Sequence, residues 1–419
     1  MATAGDTAPR HVSVTAPASP RGTIALPASK SLSARALILD ALTQSPGALH
    51  NLAVCDDTHA MLQALLSNQP HIAVGGAGTA MRFLTAYFSA QAGRRVTLDG
   101  DQRMRCRPIA PLVEALRQLG AHITYADREG FPPLHIEGRT LRGTHIVMPG
   151  DVSSQFISAL LMIAPTIGGI TLEITGDIVS RPYIDMTLAM MAQRGVNARW
   201  TGNAIVVPEG QYTAIDYTVE ADWSAASYWL AWQALLPQAQ LTLAGLQRDS
   251  LQGDQRMLAL LENMGMSAHW TSGGLTLVAE RCAQCCCSTF ADLSGTPDLA
   301  PTLTVMLCLM GRPFRIIGLR TLHLKESDRI DALCVELRKL GYLVKIEGND
   351  ALDWHFESCE PERMPRISTH GDHRLAMAFS LAAVRFPGIV IEDAAVVEKS
   401  YPNYWKHLQQ AGFDISFVL

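Results

Sequence analysis

The chain has 419 residues, a formal net charge of −5, 48% hydrophobic residues and 17% charged ones. That length and apolar content support two or three domains with full cores. The near-neutral balance lacks the basic stripe of a nucleic-acid binder, while leaving room for a local basic pocket.

The opening MATAGDTAPRHV has no apolar segment of the secretory kind, and the apolar run Leu299–Met310 is shorter than a membrane span. A soluble, cytoplasmic chain is expected, with no membrane partner. The odd number of cysteines, nine, fits reduced thiols. Four of them fall in RCAQCCCSTF, where Cys282 and Cys285 make a single C-x-x-C pair. A structural zinc site needs about four ligands, so this run reads as a loop or strand edge of free thiols.

In chain order, two kinds of predicted helix alternate. The first kind begins SKSLSARALILDAL, GAGTAMRFLTAYF, DVSSQFISALLMIA, ADWSAASYWLAWQAL, GTPDLAPTLTVMLCL and GDHRLAMAFSLAAV. Each is apolar almost all round and should be buried. Each opens with Ser, Thr, Asp, Gly or Pro, the residues of helix starts. The second kind is amphipathic. Five of these run to a glycine (Gly120, Gly195, Gly265, Gly341 and Gly412) and then into a strand-like stretch, recurring roughly every 70 residues. GALHNLAVCDD before THAMLQALL reads as the first copy of six. Two groups of three copies would make two similar domains with a cleft between them.

A single polar helix start would be an ordinary cap. Six buried ones with basic residues beside many of them suggest a shared anion site, because a helix start offers unpaired N–H groups and a positive dipole end. The charges are few: Lys30 and Arg35 lie on the first buried helix, Arg82 follows the GGAGTA loop, Arg103, Arg105 and Arg107 crowd into QRMRCRP, Lys325 and Arg329 lie in LKESDRI, Arg374 starts the last buried helix and Lys399 lies in the last loop. Arginine grips carboxylate or phosphate in two-pronged fashion, and lysine supplies a point charge or a proton. Asp298, Glu326, Asp372 and His373 lie among them as candidate proton carriers. Taken singly, each would read as a salt bridge or a cap. There is no G-x-x-x-x-G-K-[ST], no G-x-S-x-G and no H-E-x-x-H, and GGAGTA is a weak dinucleotide signal.

PASKSLSARALIL, AGTAMRFL, RMRCRPI, GDVSSQFISALL, VSRPYIDMTL, PDLAPTL, LKESDRI and DHRLAMAF, in that order, resemble the signature blocks of the 5-enolpyruvylshikimate-3-phosphate synthase family, from roughly Val14 to the end. The resemblance implies an α/β (α+β) fold: two similar domains, each of three βαβαββ units with buried parallel helices, an inside-out α/β barrel, and a cleft between domains. It places the first domain at residues 1–27 and 222–419 and the second at 28–221. It implies transfer of the enolpyruvyl group of phosphoenolpyruvate to the 5-hydroxyl of shikimate 3-phosphate, with release of phosphate. That step belongs to the shikimate pathway, toward chorismate and the aromatic amino acids, and uses no cofactor and no metal.

By the same resemblance, Lys30, Asp298 and Glu326 are catalytic. Shikimate 3-phosphate falls to Lys30, Ser31, Arg35, Ser153, Ser154, Gln155, Ser180, Tyr183, Asp298 and Lys325. Phosphoenolpyruvate falls to Lys30, Gly78, Thr79, Arg82, Arg107, Gln155, Arg329, Arg374 and Lys399. Glyphosate is an implied inhibitor, the chain an implied monomer, and closure on substrate an implied motion. Three positions depart from the family's usual asparagines: Ala34, Gly76 and Thr321. Rival readings are the sister transferase acting on UDP-N-acetylglucosamine and a catalytically inactive binding protein. The sister enzyme's loop cysteine position is Gln102 here, and intact Lys30, Asp298 and Glu326 oppose a pure binder.

Overall fold

The structure is a computed structural model that describes residues 11–279 and 288–418. Cys282, Cys285, Cys286 and Cys287 lie outside the described residues. The chain divides into two compact units, Ala28–Glu220 and Met1–Pro27 with Ala221–Leu419. The first holds helices α1 (Lys30–Ala41), α2 (Asp56–Leu66), α3 (Gly78–Ser89), α4 (Ala110–Gln118), α5 (Ser154–Ile163) and α6 (Arg181–Gln193). The second holds α7 (Trp223–Leu235), α8 (Arg256–Glu262), α9 (Ala300–Met310), α10 (Arg329–Lys339), α11 (His373–Ser380) and α12 (Tyr404–Gln410).

The odd-numbered helices are the buried set. α3 packs on α5, and α9 packs on both α7 and α11. Trp223, Trp229 and Trp232 of α7 are fully buried, and the last two donate their indole N–H groups to Tyr401 (3.1 Å) and Tyr404 (3.3 Å). Those bonds let large rings enter a core without an orphaned donor. Ser29, Ser153, Asp222 and Asp372 cap α1, α5, α7 and α11 with their side chains. α3 and α9 start without a side-chain cap.

Among the described residues, five four-stranded sheets of one design accompany these helices. Two parallel strands are joined through a buried helix. After an amphipathic helix, an antiparallel pair extends the sheet. In one copy His71–Ala73 runs parallel to Arg95–Asp99, which pairs antiparallel with Leu134–Glu137, then His122–Tyr125. The amphipathic helices end as their sequences predict: Gly120, Gly195, Gly265, Gly341 and Gly412 all have φ between 86° and 96°, where a side chain would be strained.

The copies are not equal. After α2 the chain leaves through Ser67 in extended conformation and runs on to His71–Ala73. No left-handed glycine turns it back, so no hairpin forms, and this copy keeps only the parallel pair Leu49–His50 with Tyr217–Thr218. The last copy is completed from the other end of the chain: His11–Thr15 pairs with Ile389–Ile391 and Asp414–Val418. Arg21–Ala25 pairs in parallel with Gln240–Ala244, so the whole unit Ala28–Glu220 is inserted between two neighbouring strands of one sheet. No helix among the described residues is long and apolar enough to cross a membrane.

Candidate active site

In the unit that carries α7 to α12, helix starts bring distant charges together. Asp298 lies in the 3-10 turn Pro297–Leu299 that leads into α9. Lys325 and Glu326 follow the 3-10 turn Arg320–Leu324, and Arg329 opens α10. Asp372 caps α11, accepting from the Arg374 backbone N–H at 2.9 Å. Arg329 is the hub. Its Nε donates to Asp372 Oδ2 (2.6 Å), Nη1 to Asp298 Oδ1 (2.8 Å) and Nη2 to Glu326 Oε2 (2.7 Å). Arg374 Nη2 reaches Asp298 Oδ2 at 2.9 Å, Lys325 Nζ lies 3.5 Å from Asp298 Oδ1, and Lys399 Nζ lies 4.0 Å from Glu326 Oε1.

Three carboxylates thus face four cations. Burial opposes ionisation of Asp298, but Arg374, Lys325 and Arg329 outweigh it and hold the carboxyl far below its ordinary range. Burial lowers the Lys325 ammonium, with Asp298 opposing. Burial would lower Arg329 too, but Asp372, Glu326 and Asp298 push it up instead. Asp254, which feels the charges of Arg374 and Asp298, behaves differently. It accepts from the Ser224 hydroxyl, and burial raises it to about 6 although Arg374 opposes.

The unit that carries α1 to α6 holds the other candidates. Lys30 Nζ pairs with Asp57 Oδ2 at 3.1 Å. At the uncapped start of α3, Gly78 lies under two guanidiniums. A methyl group there would meet Arg82 Nη1 at 2.5 Å and Arg107 Nη1 at 2.7 Å. Gln155 donates from Nε2 to Thr79 Oγ1 at 3.0 Å, so the first turns of α3 and α5 are linked. Ser153 caps α5, Ser154 is buried beside it, and Ser180 opens α6 with φ 55°. The Tyr183 backbone N–H bonds to the Ser180 carbonyl.

Arg35 is 2% exposed on α1. It donates to the Ser31 carbonyl (3.0 Å), Thr187 Oγ1 (2.7 Å), Ser158 Oγ (3.1 Å) and the Tyr183 carbonyl (3.1 Å), and it stacks over the Phe83 ring. Every one of these partners is neutral. Burial, with no carboxylate in the set, brings its guanidinium down to about 10, still a cation at neutral pH.

In the unit of α7 to α12 the sequence-selected residues form one network. In the other they meet in separate groups, Gly78 with Arg82 and Arg107, Thr79 with Gln155, and Arg35 with Ser31 and Tyr183. The sequence reading did not select Asp57 as partner of Lys30, nor Ser158 and Thr187. Ser158 alone carried a signal, since a polar residue inside a helix that is otherwise buried and apolar needs a partner. Asp57 and Thr187 lie on the amphipathic helices α2 and α6, where a polar residue is ordinary. Of the three departures, Ala34 is buried in α1. The Thr321 hydroxyl is buried without a hydrogen-bond partner among the described residues.

A two-unit α/β fold with sheets of one repeated design around buried helices defines a class of its own. Solved structures share it: EPSP synthase from Acinetobacter baumannii superposes with TM-score 0.74, covering 97% of this chain and 100% of that one at 20% identity. The sequence model of the family described as EPSP synthase (3-phosphoshikimate 1-carboxyvinyltransferase) matches residues 14–68 and 65–408. The chain is 48% identical over 405 residues to a 3-phosphoshikimate 1-carboxyvinyltransferase of Bacteroides fragilis (strain YCH46), covering 96% of this chain and 98% of that one. It is 37% identical over 420 residues to the protein of that name from Idiomarina loihiensis, covering 93% and 96%. The chain belongs to the EPSP synthase family.

Proposed function

We propose that this chain transfers the enolpyruvyl group of phosphoenolpyruvate to the 5-hydroxyl of shikimate 3-phosphate by addition and elimination. The hydroxyl oxygen bonds to C2 of the enol while C3 gains a proton, giving a tetrahedral phosphate adduct. The C2–O bond to phosphate then breaks, C3 loses a proton, and the vinyl ether and phosphate leave. The chemistry needs positioned anions, charge stabilisation and proton carriers, and calls for no metal or organic cofactor.

Asp298 takes the hydroxyl proton, Glu326 supplies the proton to C3, and Lys30 protonates the departing phosphate. Arg82, Arg107, Arg329, Arg374 and Lys399 hold phosphoenolpyruvate, with Gly78, Thr79 and Gln155 at its side. Ser31 and Arg35 hold the shikimate carboxylate, Ser153, Ser154 and Ser180 its phosphate, and Gln155, Tyr183 and Lys325 the ring. The observation that carries this reading is the network around Arg329, where two proposed proton carriers and four cations meet within ion-pair distance. As it stands, Asp298 is held too acidic to be an effective base. An anionic substrate drawn to Arg374 and Arg329 adds negative charge beside it and raises its proton affinity. Glyphosate, also anionic, competes for the phosphoenolpyruvate residues, and the chain acts as a monomer.

Phosphate release should occur with phosphoenolpyruvate and shikimate 3-phosphate together, and with neither alone. Release with phosphoenolpyruvate and UDP-N-acetylglucosamine would overturn the assignment. A glyphosate titration of the same assay and a sedimentation run test the inhibitor and the monomer.

A further inference from the structure

Arg35 is a buried cation whose protein partners are all neutral. Two of them, Ser158 on α5 and Thr187 on α6, are themselves fully buried and lie 2.9 Å apart. The Thr187 hydroxyl accepts from Arg35 Nε and lies 2.9 Å from both Ser158 Oγ and the Tyr183 carbonyl. Its single hydrogen serves one of these at a time. A guanidinium has five N–H groups in a rigid fork. Four are committed here, through Nε, both hydrogens of Nη2 and one of Nη1. The second hydrogen of Nη1 makes no hydrogen bond among the described residues.

We infer that Ser158 and Thr187 are positioning residues that select for a carboxylate on the substrate. They fix the fork from α5 and α6 without neutralising it, so the full charge and the remaining Nη1 donor stay available to an anion. An acidic side chain in their place would hold the fork equally well but would cancel the charge that attracts the ligand. Hydroxyls do the first without the second. The Phe83 face adds a further contact that leaves the charge intact. This inference rests on the proposed role of Arg35 at the shikimate carboxylate.

The test compares shikimate 3-phosphate with an analogue whose carboxylate is replaced by a hydroxymethyl group, in steady-state assays at saturating phosphoenolpyruvate. Thr187→Val keeps shape and removes the hydroxyl. It should raise KM for shikimate 3-phosphate roughly tenfold, the scale of a weakened charge-assisted hydrogen bond. KM for phosphoenolpyruvate should move less than about twofold, and KM for the analogue should not rise. Ser158→Ala should act in the same direction, and Thr187→Ser should restore the parent values. A general packing role would raise KM for both substrates alike. An equal rise, or no rise at all, overturns the inference. Arg35→Gln separates the two levels. If it abolishes the preference for carboxylate while Thr187→Val and Ser158→Ala leave that preference intact, the positioning role falls and the role of Arg35 stands. If Arg35→Gln leaves the preference intact, both fall.

Discussion

Arg35, in the second turn of α1, and Arg329, the first residue of α10, are both buried guanidiniums, yet they are held in opposite ways. Arg329 sits among three carboxylates and belongs to a nearly balanced charge network. Arg35 sits among two hydroxyls and two carbonyls. The contrast separates two uses of a buried cation. One organises acidic groups that must keep their places. The other keeps its charge for something that arrives from outside. The cost of burying charge differs accordingly, since a paired ion recovers part of its lost hydration from its partners and an unpaired one does not.

The largest expected effect comes from removing a carboxyl without removing its hydrogen bond. Glu326→Gln can still accept from Arg329 but cannot deliver a proton to carbon. Its kcat should fall about 10²- to 10⁴-fold, with KM for both substrates little changed. A kcat near the parent value would remove Glu326 from the chemistry and leave it as scaffolding for Arg329.

Next, replacing each guanidinium by methionine tests the comparison directly. Arg329→Met leaves the fully buried Asp372 without its guanidinium and takes one cation from Asp298 and from Glu326, and should cost about 3–5 kcal/mol in urea unfolding. Arg35→Met strands only neutral groups, two of which can bond each other, and should cost under about 1 kcal/mol. Both variants should lose activity. Equal losses of stability would show that the character of the partners does not matter here.

The smallest effect concerns Asp254, a buried carboxyl that the neighbouring cations do not rescue. Its folded value of about 6 lies above its ordinary 3.8. The folded chain therefore holds this proton more tightly than the unfolded chain. The resulting stability is fully present below about pH 4 and is lost as pH rises through about 6. Stability of the parent minus that of Asp254→Asn should thus fall by about 3 kcal/mol between pH 4 and 7 in thermal or urea denaturation. A flat difference would mean that cations do neutralise Asp254.

Much of the architecture was legible because it depends on local rules. A glycine after an amphipathic helix announces a left-handed turn wherever it stands, and all five such glycines adopt one. The first copy is the exception: the sequence reads it as one of six like units, the structure makes it a reduced one, and the glycine missing after THAMLQALL is the local reason. The polar starts of the buried helices were legible too, although Ser29, Ser153, Asp222 and Asp372 spend their side chains on capping while the starts of α3 and α9 do not. The membership of Asp298, Glu326, Arg329 and Arg374 in one group came from the family resemblance. The hub position of Arg329 and the share of Asp372 in it did not.

By itself the sequence determined the repeat, the two helix types, their ends and the chemical kinds of residue at each helix start, because these follow from backbone preference and from period. The partner of each charge was decided only by tertiary structure. Ser158 and Thr187 stand 123 and 152 residues from Arg35, and Asp372 stands 43 from Arg329. No local rule links residues so far apart. Only the packing of α1, α5 and α6 in one unit, and of the helix starts around Arg329 in the other, determines whether a buried guanidinium meets a hydroxyl or a carboxylate. That choice sets its charge balance, and with it what the site can attract.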